Sequence, residues 1–209
     1  ALFMCHGVAL IPEKEKFIQL VNFIGQKYMV EALLPRILEN GSVSFISSSG
    51  GYGWENKIEL INEYINLNTF EEQAEWVEGH MPIFSEGYMS DSYCFSKQCI
   101  NAYVKSKVRS SEFINKKIRV NAIAPSYTIS GLTKDFNLAI SQDGSEESGE
   151  KLMHDLFLKS WNGRPGTSED MGYPLVMIGS NLFGYLSGQV IYIDFGMTGE
   201  MDYKNLLSK

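Results

Sequence analysis

The chain alternates short apolar runs with longer segments of helical periodicity, and this alternation constrains its fold more than any other feature. Two long segments, 13–39 and 92–113, place apolar residues three and four positions apart, as on one face of a helix. The runs with the length and composition of buried strands are 2–5, 43–47, 118–124 and 189–194. Strands separated by helices predict an α/β fold whose parallel strands are joined by crossover helices.

Composition excludes several functions. The chain has 209 residues, 44% of them hydrophobic, which is enough material for one compact domain, 1–209. A net charge of −7 at pH 7 argues against nucleic acid as a partner. No apolar stretch is long enough for a membrane span, and no charged and then apolar leader opens the sequence. We therefore expect a cytoplasmic protein with no membrane partner.

Cysteine and histidine usage indicates neither a disulfide framework nor a metal site. Cys5, Cys94 and Cys99 are few, odd in number and lack paired spacing. The three histidines lie far apart, without a spacing that would bring two ligands onto one helix face. We predict no bound metal, and we interpret Cys94 and Cys99 as packing residues.

Tyr93 and Lys97 are four residues apart in a helical segment, so their side chains share one face. An ammonium beside a phenol favours the phenolate and lowers the phenol pKa from its ordinary value of about 10. Tyr93 is therefore a candidate general acid and base. The same spacing also occurs where a half-buried tyrosine simply lies beside a solvated lysine, and the pair alone does not decide between the two interpretations.

Further motifs occur in a fixed order around this pair and extend over nearly the whole chain. They are Val21–Gly25, Phe45–Ser48, Ile118–Pro125, Gly163–Asp170 and Ser187–Gly196. Together with Tyr93 and Lys97 they resemble the short-chain dehydrogenase/reductase family. The resemblance implies a Rossmann-like, doubly wound parallel sheet with flanking helices, NAD or NADP as the cofactor, and oxidoreductase activity on CH–OH groups.

The resemblance also implies four catalytic residues. Ser48 would hydrogen-bond the substrate oxygen, and Tyr93 would exchange its proton with that oxygen. Lys97 would hold the nicotinamide ribose and lower the pKa of Tyr93, and Asn22 would anchor a proton-relay water. A polarising donor and a tuned acid/base on one C–O bond suit hydride chemistry, in which the cofactor carries the hydride.

Four more residues are implied in cofactor binding beside Tyr93 and Lys97: Gly7, Pro125, Thr128 and Ser130. Thr128 and Ser130 could instead be ordinary solvated loop residues. Ser126 stands where the family has glycine. His6, beside Gly7, either contacts the cofactor or caps the end of the first strand, and we favour the structural role.

The glycine-rich turn that holds the cofactor pyrophosphate has no counterpart in these residues, nor has the acidic residue that selects NAD over NADP. If Cys5-His6-Gly7 ends the family's fourth strand, two β-α units, about 60–75 residues, would precede Ala1. We therefore expect an N-terminally truncated fold and leave the choice of NAD or NADP open. The alternative is a natural chain with an incomplete nucleotide site, acting as a non-catalytic interaction partner.

Residues 54–92 are predicted to form a helical insertion between Ser48 and Tyr93, whose separation is longer than is usual in the family. This places the resemblance nearest the 3α-hydroxysteroid and coniferyl-alcohol dehydrogenase branch. The insertion would wall the substrate pocket, cover a subunit surface, or both. Trp54 is the candidate contact to an apolar substrate, although Trp54 and Trp76 could equally pack onto the core.

The resulting prediction is an NAD(P)-dependent enzyme that interconverts a secondary alcohol and a ketone on a small apolar, hydroxysteroid-like substrate. An aromatic alcohol or aldehyde dehydrogenase is the alternative. The resemblance implies a homodimer, or else a homotetramer, typically built on helices 13–39 and 92–113, unless the insertion blocks one of these contacts. The segment 132–160 is predicted to hold a polar loop, and Thr167 to begin a helix.

Overall fold

The computed structural model describes residues 1–85, 91–159 and 164–208. Its strands form one parallel sheet in the order β1-β2-β3-β4. Met4 pairs with Phe45, Phe45 with Ala122, and Ala122 with Val190. The strands are β1 Leu2–Met4, β2 Ser42–Ile46, β3 Arg119–Pro125 and β4 Val190–Ile193. The parallel α/β fold is confirmed, and each strand lies within one residue of its predicted bounds.

Burial differs across the sheet. Residues Arg119–Ala124 of β3 are all buried, because this strand is paired on both sides and covered by helices. Among the described strands, β1 pairs only with β2 and so lies at an edge. Phe3 is 38% exposed, which corrects the expectation that the whole of 2–5 is buried.

The first helical segment is shorter than predicted and is not a uniform helix. It consists of α1 Glu15–Gln19, a π-helical turn Leu20–Ile24 and α2 Gly25–Leu33, followed by a 3₁₀ turn Leu34–Arg36. A π turn accommodates an extra residue within a helix and is frequent at functional sites. Here the π turn contains Asn22.

The residues after Ser48 fold into two helices, α3 Ile58–Ile65 and α4 Phe70–Gly79, and a 3₁₀ segment Met81–Ser85. Helix α4 starts at a capping box formed by Thr69 and Glu72. The part of the insertion at 86–90 lies outside the described residues, and the assignment of 54–92 as an insertion into one domain stays a prediction.

Helix α5, Ser92–Lys107, runs through the core and is followed by the short α6, Ser111–Ile114. Apart from Tyr93, its residues from Ser92 to Val104 are buried, beneath α1 and α3 among others. Trp76 of α4 stacks on Tyr64 at 4.5 Å and on Phe95 at 6.0 Å between ring centroids. Because residues 92–104 of α5 are covered within the chain, in part by α3 of the insertion, they offer no surface for a subunit contact. Of the two expected contacts, this is the one that the insertion blocks.

The segment 132–160 holds the predicted polar loop at 141–145, but the loop is shorter than expected and the rest of the segment is largely helical. It forms α7 Thr133–Ile140, α8 Glu146–Met153 and a π-helical turn His154–Leu158. The polar residues that suggested a loop begin α8, since the Ser145 hydroxyl accepts a hydrogen bond from the Ser148 amide and Glu146 lies in the first turn. Serine and acidic residues indicate a helix N-terminus as readily as a loop.

Helix α9, Ser168–Gly179, begins at Thr167 as predicted. Thr167 and Asp170 form a capping box, and the Arg164 guanidinium hydrogen-bonds the Asp170 carboxylate at 2.6 Å. This bond is the main cause that lowers the pKa of Asp170 to about 2. Gly163, which opens the motif containing Arg164, lies outside the described residues. The last helix, α10, spans Met197–Leu207.

Two absences hold for the part of the chain that the structure describes. No helix within 1–85, 91–159 or 164–208 combines the length and apolarity needed to cross a bilayer. Within the same residues, no group of three or more histidine, cysteine, aspartate or glutamate side chains is placed to hold a metal ion. Cys94 and Cys99 are buried, and burial raises the pKa of both thiols.

Candidate active site

A cleft of about 1500 Å³ opens beyond the carboxyl ends of the strands. The residues that end or follow three strands line it: Gly7 after β1, Ser48 after β2, and Pro125 at the end of β3. In parallel α/β sheets, ligands bind in the crevice beyond these strand ends. Tyr93 and Lys97 of α5 line the same cleft, which is therefore the candidate active site.

Ser48 lies directly beside Tyr93. Its hydroxyl accepts a hydrogen bond from the Gly50 amide at 3.1 Å and caps a 3₁₀ turn, Ser49–Gly51. Burial raises the pKa of Tyr93, and the hydrogen bond with Ser48 opposes that rise. The expected lowering of the Tyr93 pKa by Lys97 is not found, because removal of the phenol from water outweighs the other influences.

Lys97 lies on the floor of the cleft and is 5% exposed. Its ammonium donates a hydrogen bond to the Ile46 carbonyl at 3.0 Å and lies 5.6 Å from the centroid of the Tyr93 ring. Burial lowers the pKa of Lys97 to about 8. Lys97 therefore remains mostly charged at neutral pH and presents a positive charge on the face of α5 that carries Tyr93.

Asn22 holds the backbone that follows β1. Its side-chain oxygen accepts from the Val8 amide at 2.8 Å, and its nitrogen donates to the Val8 carbonyl at 3.0 Å. A β-carbon on Gly7 would lie 3.2 Å from the Asn22 oxygen and 3.9 Å from the Lys97 nitrogen. Gly7, Asn22 and Lys97 are thus brought together, with the Asn22 side chain occupied by Val8. The proton-relay role of Asn22 stays a prediction.

Thr128 and Ser130 lie in the loop after β3, and both line the cleft. The Thr128 hydroxyl donates to the Ser126 carbonyl at 3.0 Å, and the Ser130 hydroxyl accepts from the Leu132 amide at 3.2 Å. These bonds shape the loop that leads into α7. Cofactor contacts from Thr128 and Ser130 stay predictions, as does the structural role of His6, which also lines the cleft.

Trp54 does not line the cleft, which corrects its assignment to the substrate. Its side chain is partly buried and packs against the hydrophobic core. Gly53, at a positive φ of 73°, turns the chain before it, and Tyr52 and Gly53 line the cleft instead. Trp76 is likewise a core residue, so the packing interpretation holds for both tryptophans.

Sequence reasoning missed the apolar wall that faces Tyr93. The Phe136 ring of α7 contacts the Tyr93 ring edge-on at 5.0 Å between centroids. The spacing of Leu132, Phe136 and Ile140 by four residues is the signal that would have indicated this helix face. Six apolar side chains characterise the wall, contributed by α7, α8, α10 and the turn before α7: Leu132, Phe136, Ile140, Met153, Met197 and Met201.

Comparison with known proteins agrees with this fold. A family model described as enoyl-(acyl carrier protein) reductase matches residues 83–198, more than half of the chain. The chain belongs to the short-chain dehydrogenase/reductase family.

Two individual relatives share about a quarter to a third of the matched residues with this chain. The coniferyl-alcohol dehydrogenase of Pseudomonas sp. strain HR199 is 24% identical over 85% of this chain and 63% of the relative. A 3-oxoacyl-(acyl-carrier-protein) reductase of Rickettsia prowazekii is 30% identical over 51% of this chain and 38% of the relative. The chain thus spans less than two thirds of the length of these curated relatives.

The fold is also that of solved members of the family. A 3α-hydroxysteroid dehydrogenase from Pseudomonas sp. B-0831, solved with NADH, superposes with a TM-score of 0.75. The match covers 97% of this chain and 74% of that one, at 16% sequence identity. This likeness confirms the Rossmann-like arrangement of the sheet and its flanking helices.

Proposed function

We propose that this chain carries the catalytic part of an NAD(P)-dependent oxidoreductase that interconverts a secondary alcohol and a ketone. The observation that carries the proposal is the meeting of Ser48, Tyr93 and Lys97 in one cleft at the strand ends. The cleft is thereby lined by a hydrogen-bond donor in Ser48, a phenol that can exchange a proton in Tyr93, and a buried cation in Lys97.

The residues present fit the nicotinamide end of such a cofactor. The buried Lys97 ammonium lies in the cleft, and a β-carbon on Gly7 would fill space close to it. We infer that Tyr93, Lys97, Gly7, Pro125, Thr128 and Ser130 hold this end. NADH is bound by the 3α-hydroxysteroid dehydrogenase, and NADP by a putative gluconate 5-dehydrogenase from Beutenbergia cavernae that shares the fold. When bound, the cofactor supplies or accepts the hydride.

The side chains of this protein perform the proton chemistry. The Ser48 hydroxyl accepts from the Gly50 amide and turns its own proton from Tyr93 to the substrate oxygen when substrate binds. Tyr93 gives a proton to that oxygen during reduction and takes it back during oxidation. The positive charge of Lys97, 5.6 Å from the centroid of the Tyr93 ring, acts in favour of the phenolate, while burial keeps the net pKa of Tyr93 above its ordinary value.

The substrate we propose is apolar and hydroxysteroid-like. The part of the cleft wall formed by α7, α8 and α10 is dominated by leucine, isoleucine, methionine and phenylalanine side chains. An aromatic alcohol is the second candidate. It is favoured by the similarity to coniferyl-alcohol dehydrogenase and by Phe136, whose ring could stack on an aromatic substrate beside Tyr93.

Replacing Tyr93 by phenylalanine in the complete gene product tests the catalytic proposal. We expect turnover to fall at least about 100-fold while the melting temperature changes little, because only the exchangeable proton is removed. Tyr103→Phe, a change to a buried tyrosine on the same helix, is the matched control and should retain activity. Undiminished turnover in Tyr93→Phe would remove Tyr93 from the mechanism.

Substrate profiling separates the two substrate classes. Hydroxysteroids and aromatic alcohols are compared by kcat/KM with both NAD and NADP, which also settles the cofactor preference. Turnover of neither class by the complete gene product, despite cofactor binding, would favour the non-catalytic alternative.

We also propose a homodimer. Helix α9 carries exposed apolar side chains, among them Tyr173, Val176 and Met177. Exposed apolar clusters of this kind mark protein contacts. Analytical ultracentrifugation of the complete gene product measures the state, and a monomer at micromolar concentration would contradict the proposal.

A further inference from the structure

Asn101 lies in the middle of helix α5, at a fully buried position of the kind that an apolar residue usually occupies. It is fully buried, four residues after Lys97 and eight after Tyr93, so all three share one side of α5. A buried amide is costly unless its hydrogen bonds are made. The partners of Asn101 therefore indicate why it is tolerated.

Both polar atoms of Asn101 bind the segment that carries Ser48. Its oxygen accepts from the Ser47 hydroxyl at 2.6 Å, and its nitrogen donates to the Gly51 carbonyl at 2.9 Å. One bond is made to the residue just before Ser48 and the other to the end of the 3₁₀ turn that Ser48 caps. The amide thus clamps the turn from both sides of the catalytic serine.

The packing around Gly51 shows how closely the turn lies against α5. A β-carbon on Gly51 would lie 2.5 Å from the Asn101 nitrogen and 3.0 Å from the Lys97 carbonyl. On the neighbouring residue, Gly50, a β-carbon would lie 3.5 Å from the Tyr93 ring. The two glycines let the backbone of the turn approach the helix, and the Asn101 amide then holds it at that distance.

We propose that Asn101 is a positioning residue, which sets the place of the Ser48 hydroxyl relative to Tyr93. The inference rests on the proposed function, in which the Ser48 hydroxyl and the Tyr93 phenol act together on the substrate oxygen. Asn101 itself does not line the cleft and touches no reacting atom. It acts through the 3₁₀ turn Ser49–Gly51 that Ser48 caps, so its contribution to turnover requires the Ser48 hydroxyl.

A double-mutant cycle tests this dependence. Asn101→Leu keeps a similar side-chain volume and removes both hydrogen bonds. We expect kcat to fall about 10- to 100-fold with a smaller change in KM, because misplacement of a reacting group by about 1 Å has an effect of this size. In a Ser48→Ala background, the same change should lower kcat by less than about threefold, since no hydroxyl remains to be positioned.

Two further variants keep the test decisive. Ser47→Ala removes the 2.6 Å bond to Asn101, together with the longer 3.3 Å bond from the same hydroxyl to the Lys97 carbonyl, and leaves the Asn101 bond to Gly51 in place. It should give a smaller loss of kcat with the same dependence on Ser48, even if Asn101→Leu does not fold. Gln73→Leu is the matched control, because Gln73 is a buried amide that donates to the Tyr64 carbonyl at 3.1 Å in the α3–α4 pair. Its loss should lower the melting temperature and leave kcat within about twofold.

Amide hydrogen exchange gives a readout independent of activity. Exchange at Gly50 and Gly51, whose amides bond to Ser48, should accelerate in Asn101→Leu and not in Gln73→Leu. An equal loss of kcat with and without the Ser48 hydroxyl, or unchanged exchange in the turn, would overturn the positioning role. Faster exchange together with full activity in Tyr93→Phe would show instead that the proposed function fails while Asn101 still holds the turn.

Discussion

The Lys97 nitrogen lies 5.6 Å from the centroid of the Tyr93 ring and donates a 3.0 Å hydrogen bond to the Ile46 carbonyl. The hydrogen bond joins strand β2 to helix α5 beneath the phenol of Tyr93. The Lys97 ammonium is therefore buried. Removing a charge from water costs free energy, and this cost makes the stability of the protein depend on pH.

The stability of the protein should rise with pH where Lys97 titrates. Burial lowers its pKa from 10.5 to about 8, so between these values the unfolded chain binds a proton that the folded chain has released. Unfolding free energy therefore increases with pH over this window. We expect Lys97→Met to be more stable than the wild type at pH 7, by on the order of 3 kcal/mol, and the difference to shrink as pH rises from 8 towards 10.5.

Urea unfolding of both proteins at several pH values measures this difference. Lys105→Met, a change to an exposed lysine on the same helix, is the control and should show no such trend. A constant difference between wild type and Lys97→Met across pH 7 to 10 would contradict the burial of a charged Lys97.

Gly149→Ala should destabilise the apolar wall of the cleft. A β-carbon at Gly149 would lie 1.8 Å from the Asn137 backbone oxygen, so α8 would have to move away from α7. We expect a loss of about 1–3 kcal/mol in unfolding free energy, as for other overpacked sites, and a raised KM for an apolar substrate. Chemical denaturation and steady-state kinetics measure the two effects.

The matched control for that change is Gly131→Ala, in the turn before α7. A β-carbon there meets no atom within 4 Å, so stability should change by less than about 0.5 kcal/mol. Equal stability of the two variants would mean that α7 and α8 do not approach as closely as described.

Tyr52→Phe should loosen α10 over the cleft. The Tyr52 hydroxyl donates to the Asp202 carboxylate at 2.7 Å and accepts from the side-chain amide of Asn205 at 3.1 Å. These two bonds connect the residue that follows the 3₁₀ turn Ser49–Gly51 to α10. A hydrogen bond is worth about 0.5–1.5 kcal/mol, so we expect KM to rise about 3- to 10-fold with little change in kcat. Tyr203→Phe, on the same helix and 64% exposed, is the control. An unchanged KM in Tyr52→Phe would show that α10 is not part of the substrate wall.

Apolar runs and capping residues along the sequence were enough to predict much of the architecture. Apolar runs such as 43–47 and 118–124 could be identified because a parallel strand buried on both faces needs continuous apolar character. Thr167 could be placed at a helix start because capping depends only on residues three positions apart. The same local logic extended the polar loop too far, over 146–149, because Ser145 and the acidic residues after it suit both a loop and a helix N-terminus.

The sequence by itself determined the parallel α/β plan and the pairing of Tyr93 with Lys97, because strand burial and helix spacing are properties of neighbouring residues. Ser48 became a candidate through the resemblance of the ordered motifs to the short-chain dehydrogenase/reductase family. Only the tertiary structure decided that Trp54 packs against the core, that α10 lines the cleft, and that burial raises the Tyr93 pKa. It also decided that Asn101 bonds to Ser47 and Gly51. These outcomes depend on contacts between segments some 50 to 150 residues apart, and on how completely each group is removed from water, neither of which spacing along the chain specifies.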